Sequence, residues 1–429
     1  MTTALPMLVL LLCLVSGVPI AVSLAGCGMF GIWLITGDLA KVINIVGLVP
    51  FSSVADYQLT TIPMFILMAY FSASSGLARD LYNAAAAWLS HIRGGLAIAT
   101  VFACGIFGAM SGASTAAASV MSRIAMPEMR RHGYSEELGA GAIGVGATLD
   151  ILIPPSIAMV IYGIATQTSI GKLLIAGVIP GIIAGVLLAV LIYTWVRISP
   201  HHAPQAFRTP RDERVASLVR VWPSLLLIAL VLLMLYTGVA TPTEIGAVGA
   251  ALAAIIGAVF GRLTFAEGID ALKQTLRTSA MIFLILIGAT IFGYYMTLSR
   301  IPQEVVTLVG AMDLNRWVVI IGIVVSYFII SMFMDEIPLL LLTLQLTFPL
   351  ITSLGFDPIW FGVLSMMMVA MGLVFPPVGL IAFVVSATAG VDLMKVYKGT
   401  SILTLALVAT TILLMIFPQI ALWLPATMR

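Results

Sequence analysis

The sequence predicts an all-α polytopic membrane protein made of two related halves, and three observations support this prediction. First, 61% of the 429 residues are hydrophobic and only 9% are charged, whereas soluble proteins carry about 25% charged residues. Second, apolar stretches near the length of about 20 residues that a bilayer-crossing helix needs follow one another along the chain. Third, proline and glycine residues interrupt these stretches at matching places in the two halves.

The first half is predicted to span residues 1–196. It opens with the apolar stretch 4–36, which we divide into two short crossings because Gly17, Val18 and Pro19 interrupt it. No Lys or Arg precedes this stretch, which favours a first transmembrane helix over a cleaved signal peptide. The other predicted segments of this half are a crossing over about 54–75, a hairpin over about 95–131, a broken helix over about 138–168 and a crossing over 173–196.

Residues 197–221 are polar, contain five arginines and are predicted to form a cytoplasmic linker. We interpret His201 and His202 as part of this solvated linker and not as a metal site. The second half, 222–429, repeats the pattern of the first. Its predicted segments are crossings over 222–238, 243–260 and 278–298, a hairpin over about 317–353, a broken helix over about 358–388 and a crossing over 400–424.

The two halves also match residue by residue at a constant offset of 222. Two Pro-Pro pairs, each followed at the same distance by Ala-Thr, argue against coincidence, and internal repeats of this kind are typical of secondary transporters. The matched residues are Pro127 with Pro349, Gly133 with Gly355, Pro154-Pro155 with Pro376-Pro377, Ala165-Thr166 with Ala387-Thr388, and Gly177 with Gly399.

The positions of lysine and arginine predict the topology. If the N-terminus lies outside and the two hairpins are re-entrant, fifteen Lys and Arg residues fall on inner loops and five on outer loops, as the positive-inside rule requires. This count includes Arg208 in the linker and Arg429 at the C-terminus. Each half then has five crossings, an odd number, so the second half is inverted. The prediction places the protein in a bacterial inner membrane with both termini periplasmic.

Four segments are predicted to break the helices within the membrane: 108–115, 150–156, 332–338 and 372–379. Non-helical backbone at this depth is tolerated only where it is buried in protein or lines a wet cavity. Each Pro-Pro pair forces a break, which frees carbonyl groups that can coordinate Na+ and N–H groups that favour an anion. A structural kink is the alternative for a single Pro-Pro pair, but two related pairs beside two polar tips favour a binding site.

Three acidic residues, Asp150, Asp335 and Glu336, lie well inside apolar segments, where ionisable groups are costly and usually functional. The repeat mate of Asp150 is Gly372. Three roles are open to Asp150: ligand of a cation, carrier of a proton, or hydrogen-bond partner of a helix end. One of Asp335 and Glu336 is predicted to cap the N-terminus of a half-helix.

Other functional classes find no support in the sequence. We interpret the three cysteines and the many methionines as packing residues. The sequence contains no P-loop, so ATP hydrolysis is not expected. It also contains no nucleophile–base motif of the kind that would indicate an enzyme. The net charge of +2 gives no reason to expect a nucleic-acid partner.

Several motifs resemble the large membrane subunit of TRAP transporters, the tripartite ATP-independent periplasmic family. The resemblance covers essentially the whole chain. The similar stretches are SGASTAAA at 111–118, YTGVATPTEIGAVGA at 236–250, ILIPPSIAMVIYG at 151–163, FMDEIP at 333–338 and FGVLSMMMVAMGLVFPPVGLIAF at 361–383.

The resemblance implies a Na+-coupled secondary importer of the ion-transporter superfamily, with a scaffold and a moving elevator domain. It also implies two partners, a small four-helix membrane subunit and a periplasmic binding protein. The binding protein would deliver a small organic acid, of the C4-dicarboxylate or sugar-acid type. Na+ is the expected coupling ion, with H+ as the alternative, and no organic cofactor is expected.

Carried over onto this sequence, the resemblance implies two Na+ sites and one substrate site. The first Na+ site would use Ser111, Ser114, Asp150, Ile153 and Pro155; the second would use Met334, Asp335, Gly372, Pro377 and Thr388. The substrate site would use Ser114, Thr115, Ser156, Glu336 and Gly379.

The sequence departs from the family pattern at three positions. Ala113 stands where serine is frequent, Asp150 where glycine is frequent, and Glu336 where proline is more usual. We infer that the carboxylate of Asp150 offsets the hydroxyl missing at Ala113. Two other functions are alternatives: a stand-alone Na+- or H+-coupled anion transporter of the same superfamily, and a passive pore.

Overall fold

The computed structural model describes residues 5–204, 206, 209–260, 262–312 and 314–428, and every regular element among them is a helix. Arg208 and Arg429, which the predicted topology counts, lie outside the described residues. From residue 5 onwards, the first half contains eleven α-helices: α1 Leu5–Val15, α2 Ile20–Thr36, α3 Leu39–Val54, α4 Thr61–Ser74, α5 Leu77–Leu89, α6 Gly95–Ser111, α7 Ser114–Arg131, α8 Glu136–Ala147, α9 Ile157–Thr166, α10 Ile170–Ala176 and α11 Val178–Ile198.

The described part of the second half contains ten α-helices: α12 Arg211–Thr237, α13 Pro242–Val259, α14 Phe265–Ser299, α15 Ile301–Ala311, α16 Arg316–Ser331, α17 Glu336–Ser353, α18 Pro358–Gly372, α19 Leu380–Ala389, α20 Leu393–Ile416 and α21 Gln419–Ala426. The all-helical fold class is confirmed. Both interruptions predicted at the Pro-Pro pairs are present, between α8 and α9 and between α18 and α19.

Two features of the helices differ from the sequence prediction. The helix α12 begins at Arg211, inside the predicted linker, with Asp212 and Glu213 in its first turn, where acidic side chains interact favourably with the helix dipole. The helices α3, α5 and α15 were not predicted. Polar residues such as Arg79 and Asp80 in α5 leave too short an apolar run to be recognised as a crossing.

The helix bounds recur at the offset of 222 along much more of the chain than the matched prolines cover. Helix α7 and helix α17 begin and end 222 residues apart, and so do the first residues of α2 and α13. The single helix α14 occupies the positions that correspond to α3 and α4 together. Both Pro-Pro bonds are cis. The opposite orientation of the halves in the bilayer stays a prediction.

Six helical segments of the described chain are long and apolar enough to cross a membrane, or seven if the pair 39–54 and 57–74, bent by 58°, is one span. Seven further apolar helices have only 10–17 residues. These include the two helices of the first predicted crossings and the half-helices on both sides of the second Pro-Pro break. The number of crossings in each half therefore also remains a prediction.

The two halves pack against each other through equivalent contacts. Helix α2 lies against α14, and its repeat mate α13 lies against α4. Glycines allow some of these helices to approach closely, as small residues do between membrane helices. A β-carbon at Gly28 would lie 2.8 Å from the backbone nitrogen of Phe292, and one at Gly141 would lie 2.6 Å from the carbonyl carbon of Gly399.

A network of ion pairs joins the halves at the face predicted to be cytoplasmic. Glu136, in the first turn of α8, accepts hydrogen bonds from Arg130 and from Lys395 of α20, both at 2.8 Å. The next residue, Glu137, accepts one from Lys398 at 2.9 Å. Arg130 also donates to the carbonyl oxygen of Gly390 at 3.1 Å. The network thus connects the first hairpin and the first broken helix to the second half.

The hydrogen bonds from Lys395 and Arg130 lower the pKa of Glu136 below its ordinary value. A lowered pKa in the folded state stabilises the protein above the unfolded pKa, about 4.3 for Glu, and this contribution disappears as the pH falls through the folded pKa. We expect Glu136→Gln to lower the free energy of unfolding by about 0.5–1 kcal/mol at pH 7. The loss should shrink towards zero at the acidic end of a thermal-unfolding pH series.

The matched control is Glu304→Gln, which changes an exposed glutamate of the first turn of α15 that has no ion pair within the described chain. An equal loss for Glu136→Gln at neutral and acidic pH would show that packing, and not charge, explains the effect.

Candidate functional site

Two tips, each between a pair of helices, form the first part of the candidate site. Tip 1 connects α6 to α7: Gly112 has φ +57° and Ala113 is extended, so α7 begins at Ser114. Tip 2 connects α16 to α17, where the carboxylate of Asp335 accepts a hydrogen bond from the N–H of Glu336 at 3.0 Å. The prediction that one of these two acids caps a half-helix therefore applies to Asp335.

The broken helices form the second part. In break 1, a 3-10 turn over Thr148–Ile151 precedes the Pro-Pro pair, and Ser156 caps α9 by accepting from the N–H of Met159 at 3.3 Å. In break 2, α18 ends at Gly372 and α19 begins after Gly379. Gly379 has φ +56°, a conformation that glycine adopts readily and that strains most other residues.

Tip 1 meets break 1 through a buried hydrogen bond. The hydroxyl of Ser114 donates to Oδ1 of Asp150 at 2.5 Å, and the two residues are only 2% and 1% exposed. Gly108 provides the space for this carboxyl, because a β-carbon there would collide with the Asp150 side chain. A β-carbon at Gly112 would lie 3.4 Å from the carbonyl oxygen of Pro155. Three of the predicted first-site residues therefore lie close together.

The side chains of Ser111 and Ile153, the two remaining residues predicted for the first Na+ site, contact residues other than Ser114 and Asp150. Ser111, the last residue of α6, donates to the carbonyl oxygen of Gly108 at 3.4 Å, so its hydroxyl faces back along its own helix. The side chain of Ile153 packs towards α6 and α11, near Gly105 and Gly181. Only the main-chain carbonyl of Ile153 is chemically suited to bind a cation.

Tip 2 meets break 2 through the backbone. The N–H of Gly379 donates to the carbonyl oxygen of Met332 at 2.9 Å. Gly372 is packed so closely that a β-carbon would collide with Ser331 and lie 2.7 Å from the carbonyl oxygen of Phe328. Position 372 therefore has no room for a carboxylate like that of its repeat mate Asp150.

Two residues at break 2 were not predicted from the sequence. The hydroxyl of Tyr397 donates to the carbonyl oxygens of Pro377 and Val378 at 2.8 and 2.7 Å, and Thr400 donates to the carbonyl oxygen of Val374 at 2.8 Å. Tyr397 thus already occupies one predicted ligand, the Pro377 carbonyl. The only sequence signal for these residues is the presence of hydroxyl side chains near the start of an apolar helix.

Thr388, also assigned to the second Na+ site, is not brought to break 2. It is the ninth residue of α19, about 12 Å along the helix axis from the first residue, Leu380, at 1.5 Å per residue. The helix is continuous over this distance, which separates Thr388 from Gly372 and Gly379. Met334 and Asp335, by contrast, lie in tip 2 as predicted and are half-buried.

The two tips also approach each other. Ser114 and Glu336 are repeat mates and occupy the first positions of α7 and α17. The carboxyl of Glu336 is within electrostatic range of the carboxyls of Asp335 and Asp150 and of the hydroxyl of Ser114. Glu336 is only 6% exposed, and its Oε2 atom has no hydrogen-bond partner among the described residues. Thr115, next to Ser114, is half-buried.

The electrostatics of this centre are unusual for a site that would bind an anion. Helix N-termini attract negative charge, but the protein's own carboxyls already lie at these N-termini. None of the three acids forms an ion pair with a Lys, Arg or His within the described chain. Nor do three His, Cys, Asp or Glu side chains in that part of the chain converge as ligands of a metal ion. The oxygen atoms present are of the kind that hard cations prefer.

Broken helices beside paired tips, at matching positions of a repeated membrane fold, define a membrane transport protein. The family described as "Tripartite ATP-independent periplasmic transporter, DctM component" matches residues 7–420. The chain belongs to this family. It is therefore a multi-pass membrane permease subunit of a transporter and not an enzyme.

Individual relatives agree with this assignment. The C4-dicarboxylate TRAP transporter large permease protein of Pseudomonas aeruginosa is 36% identical over 87% of this chain and 88% of its own length. The ectoine TRAP transporter large permease protein of Halomonas elongata is 32% identical over 96% of both chains. The solved structure of the Alcanivorax borkumensis YdaH transporter shares the fold, with a TM-score of 0.66, 15% identity, and coverage of 88% of this chain and 89% of that one.

Proposed function

We propose that this protein is the large permease subunit of a Na+-coupled importer of a small organic acid. In this proposal a periplasmic binding protein delivers the acid, and a small four-helix membrane subunit assists the permease. The relatives named for C4-dicarboxylate and for ectoine support an organic solute without selecting one. The observation that carries the coupling to cations is the presence of three carboxyl groups, those of Asp150, Asp335 and Glu336, at the tips and break 1, none of which forms an ion pair with a basic side chain within the described chain.

These carboxyl groups give a physical reason for coupling. Like charges at close range oppose each other, so an anion entering beside Glu336 would be repelled if it came alone. A cation that binds first, or together with the anion, removes this repulsion. Binding of the acid therefore depends on binding of the cation, which is the thermodynamic basis of symport. Na+ is the proposed cation, with H+ as the alternative.

The donor set at tip 1 and break 1 suits Na+. The carboxylate of Asp150, the hydroxyl of Ser114 and the carbonyl oxygen of Pro155 are all hard oxygen ligands. When bound, Na+ would supply a positive charge that holds tip 1 against break 1. In the second site, the proposed ligands are the Asp335 carboxylate and backbone carbonyls of tip 2 and break 2, while Tyr397 fixes the Pro377 carbonyl.

The proposed substrate site lies between the tips. The N–H groups at the starts of α7 and α9, with the hydroxyls of Thr115 and Ser156, can donate hydrogen bonds to a carboxylate. Ser114 would contribute its N–H, because its hydroxyl already donates to Asp150. Gly379 lets the backbone approach the ligand closely. Transport would follow an elevator-type alternating-access cycle, in which the loaded tips and breaks move across a scaffold.

Uptake into proteoliposomes tests this proposal. The permease would be reconstituted with the small membrane subunit and the binding protein encoded beside it. The binding protein's ligand would first be identified by thermal stabilisation with succinate, ectoine and a sugar acid as probes. We expect uptake of the stabilising probe to require the binding protein and an inward Na+ gradient, and to stop when K+ replaces Na+.

Three other outcomes would contradict parts of the proposal. Uptake without the binding protein would favour the stand-alone transporter. Uptake driven by a pH gradient in the absence of Na+ would identify H+ as the coupling ion. Movement of the probe down its own gradient, indifferent to both ions, would favour the passive pore.

A further inference from the structure

A polar cleft of about 450 Å³ lies away from the tips, between α5, α7 and the start of α12. Its arginines come from two helices: Arg79 from α5, and Arg123 and Arg131 from α7. According to the topology predicted from the charges, the cleft opens at the cytoplasmic face. We call it the α5–α7 cleft.

Two of these arginines have free donors. Arg79 and Arg123 are exposed, and their guanidinium groups form no ion pair or hydrogen bond with any other described residue, whereas Arg131 donates to Glu128 at 3.4 Å. The acidic residues of the cleft are Glu128, which Arg131 and His132 both contact, and Glu213, which is exposed in the first turn of α12. The free guanidinium groups are forks of donors that match the geometry of phosphate and carboxylate groups.

A buried hydroxyl in the same cleft also lacks a partner. Tyr82 lines the cleft and is only 2% exposed, and its hydroxyl oxygen makes no hydrogen bond with any other described residue. Most buried polar groups in folded proteins are paired, and each exception needs an explanation. A ligand that accepts a hydrogen bond within the cleft would provide the partner.

The second half provides an internal comparison. At the offset of 222, Arg79 corresponds to Ile301 and Arg123 corresponds to Gln345. The side-chain amide of Gln345 is already hydrogen-bonded, because its Nε2 donates to the carbonyl oxygen of Ala289 at 2.7 Å. The repeat architecture therefore does not require the basic pair. The positive-inside rule explains basic residues at this face, but not why two unpaired guanidinium groups line the same cleft as a tyrosine whose buried hydroxyl is unpaired.

We propose that the α5–α7 cleft binds a phosphate group, with Arg79 and Arg123 as its charged contacts and the Tyr82 hydroxyl as a further donor. The phosphate can come from the headgroup of an acidic phospholipid of the cytoplasmic leaflet, which attracts basic residues, or from free inorganic phosphate. A phosphate that contacts both arginines connects α5 to α7. Occupancy therefore hinders movement of the first hairpin relative to α5, whatever solute the protein transports.

Thermal unfolding of the full-length permease in detergent, followed by tryptophan fluorescence, tests the proposal. In the first arm, potassium phosphate is titrated, and potassium chloride at equal ionic strength is the control. In the second arm, phosphatidylglycerol is added, and phosphatidylcholine is the control. We expect one of these probes to raise the midpoint of the wild-type protein. The double variant R79Q/R123Q should bind it about tenfold more weakly, because both charge-assisted contacts are lost. Tyr82→Phe should weaken binding by a smaller factor.

The control is Arg93→Gln, which removes an exposed arginine of the same predicted face that does not line the cleft. If R79Q/R123Q fails to fold, R79K/R123K keeps the charges but loses the forked geometry, and it should bind with intermediate affinity. Stabilisation by phosphate identifies a free anion as the ligand, and stabilisation by phosphatidylglycerol alone identifies a lipid. The proposal is overturned if neither probe stabilises the wild-type protein, or if R93Q loses as much affinity as the cleft variants.

Discussion

Gly372→Ala is expected to destabilise the protein by about 1–3 kcal/mol, the usual range for overpacking a tight contact. The added β-carbon would collide with the Ser331 side chain and lie 2.7 Å from the carbonyl oxygen of Phe328. Ser331 cannot easily turn away, because its hydroxyl donates to the Phe328 carbonyl at 2.9 Å and to the Met368 carbonyl at 3.3 Å. The strain falls on the contact between α16 and α18, next to tip 2, so transport should fall with stability.

The measurement is a shift of the thermal or denaturant midpoint in detergent, with Gly322→Ala as the control. Gly322 lies on the same helix α16, and nothing lies within 4 Å of a β-carbon there. A second variant, Gly372→Ala with Ser331→Gly, removes the collision with Ser331 and leaves only the Phe328 carbonyl. It should recover part of the loss. Equal midpoints for Gly372→Ala and Gly322→Ala would contradict the expectation.

The sequence predicted much of the fold because its strongest signals are local. Proline blocks helical hydrogen bonding wherever it occurs, so the interruptions at Pro154-Pro155 and Pro376-Pro377 could be located without a structure. Helix α5 could not be predicted in the same way. It is held by packing against α6 and α12, and such tertiary contacts leave no periodic pattern long enough to recognise as a crossing.

The candidate site was predictable in its residue types but not in its pairings. The acids Asp150, Asp335 and Glu336 stood out because charge within an apolar segment is costly. The bond from Ser114 to Asp150 connects residues 36 positions apart, and no sequence rule gives such a pairing. The asymmetry of the halves also has a steric cause that only the structure reveals: Gly108 leaves space for the carboxyl of Asp150, whereas Ser331 and Phe328 fill the space beside Gly372.

Asp150→Asn is expected to raise the Na+ concentration needed for half-maximal effect by at least about tenfold, which corresponds to about 1.4 kcal/mol. The side chain keeps its size and can still accept a hydrogen bond from Ser114. It loses the negative charge that would attract a cation at tip 1, and charge-assisted bonds are roughly twice as strong as neutral ones. The expectation rests on the proposed Na+ coupling.

Na+ binding by the wild-type protein and the variant can be measured without a substrate, as the thermal stabilisation by NaCl compared with KCl at equal ionic strength. Asp392→Asn is the matched control, since Asp392 is an exposed residue that caps α20 by accepting from the N–H of Met394. Asp392→Asn should leave the Na+ dependence unchanged. Ser114→Ala should weaken the Na+ effect in the same direction as Asp150→Asn, because it removes another oxygen of the same site.

The Asp150→Asn variant also separates the three roles that are open to Asp150. If Asp150 binds the cation, Asp150→Asn alters the Na+ dependence of stability and of transport. If it carries a proton, the pH dependence of transport flattens while the Na+ effect on stability remains. If it only holds tip 1 against break 1 through Ser114, stability falls and both dependences are retained. Asp150→Gly, which removes the side chain altogether, should then reproduce that last pattern with a larger loss of stability, because a buried cavity is left beside Gly108.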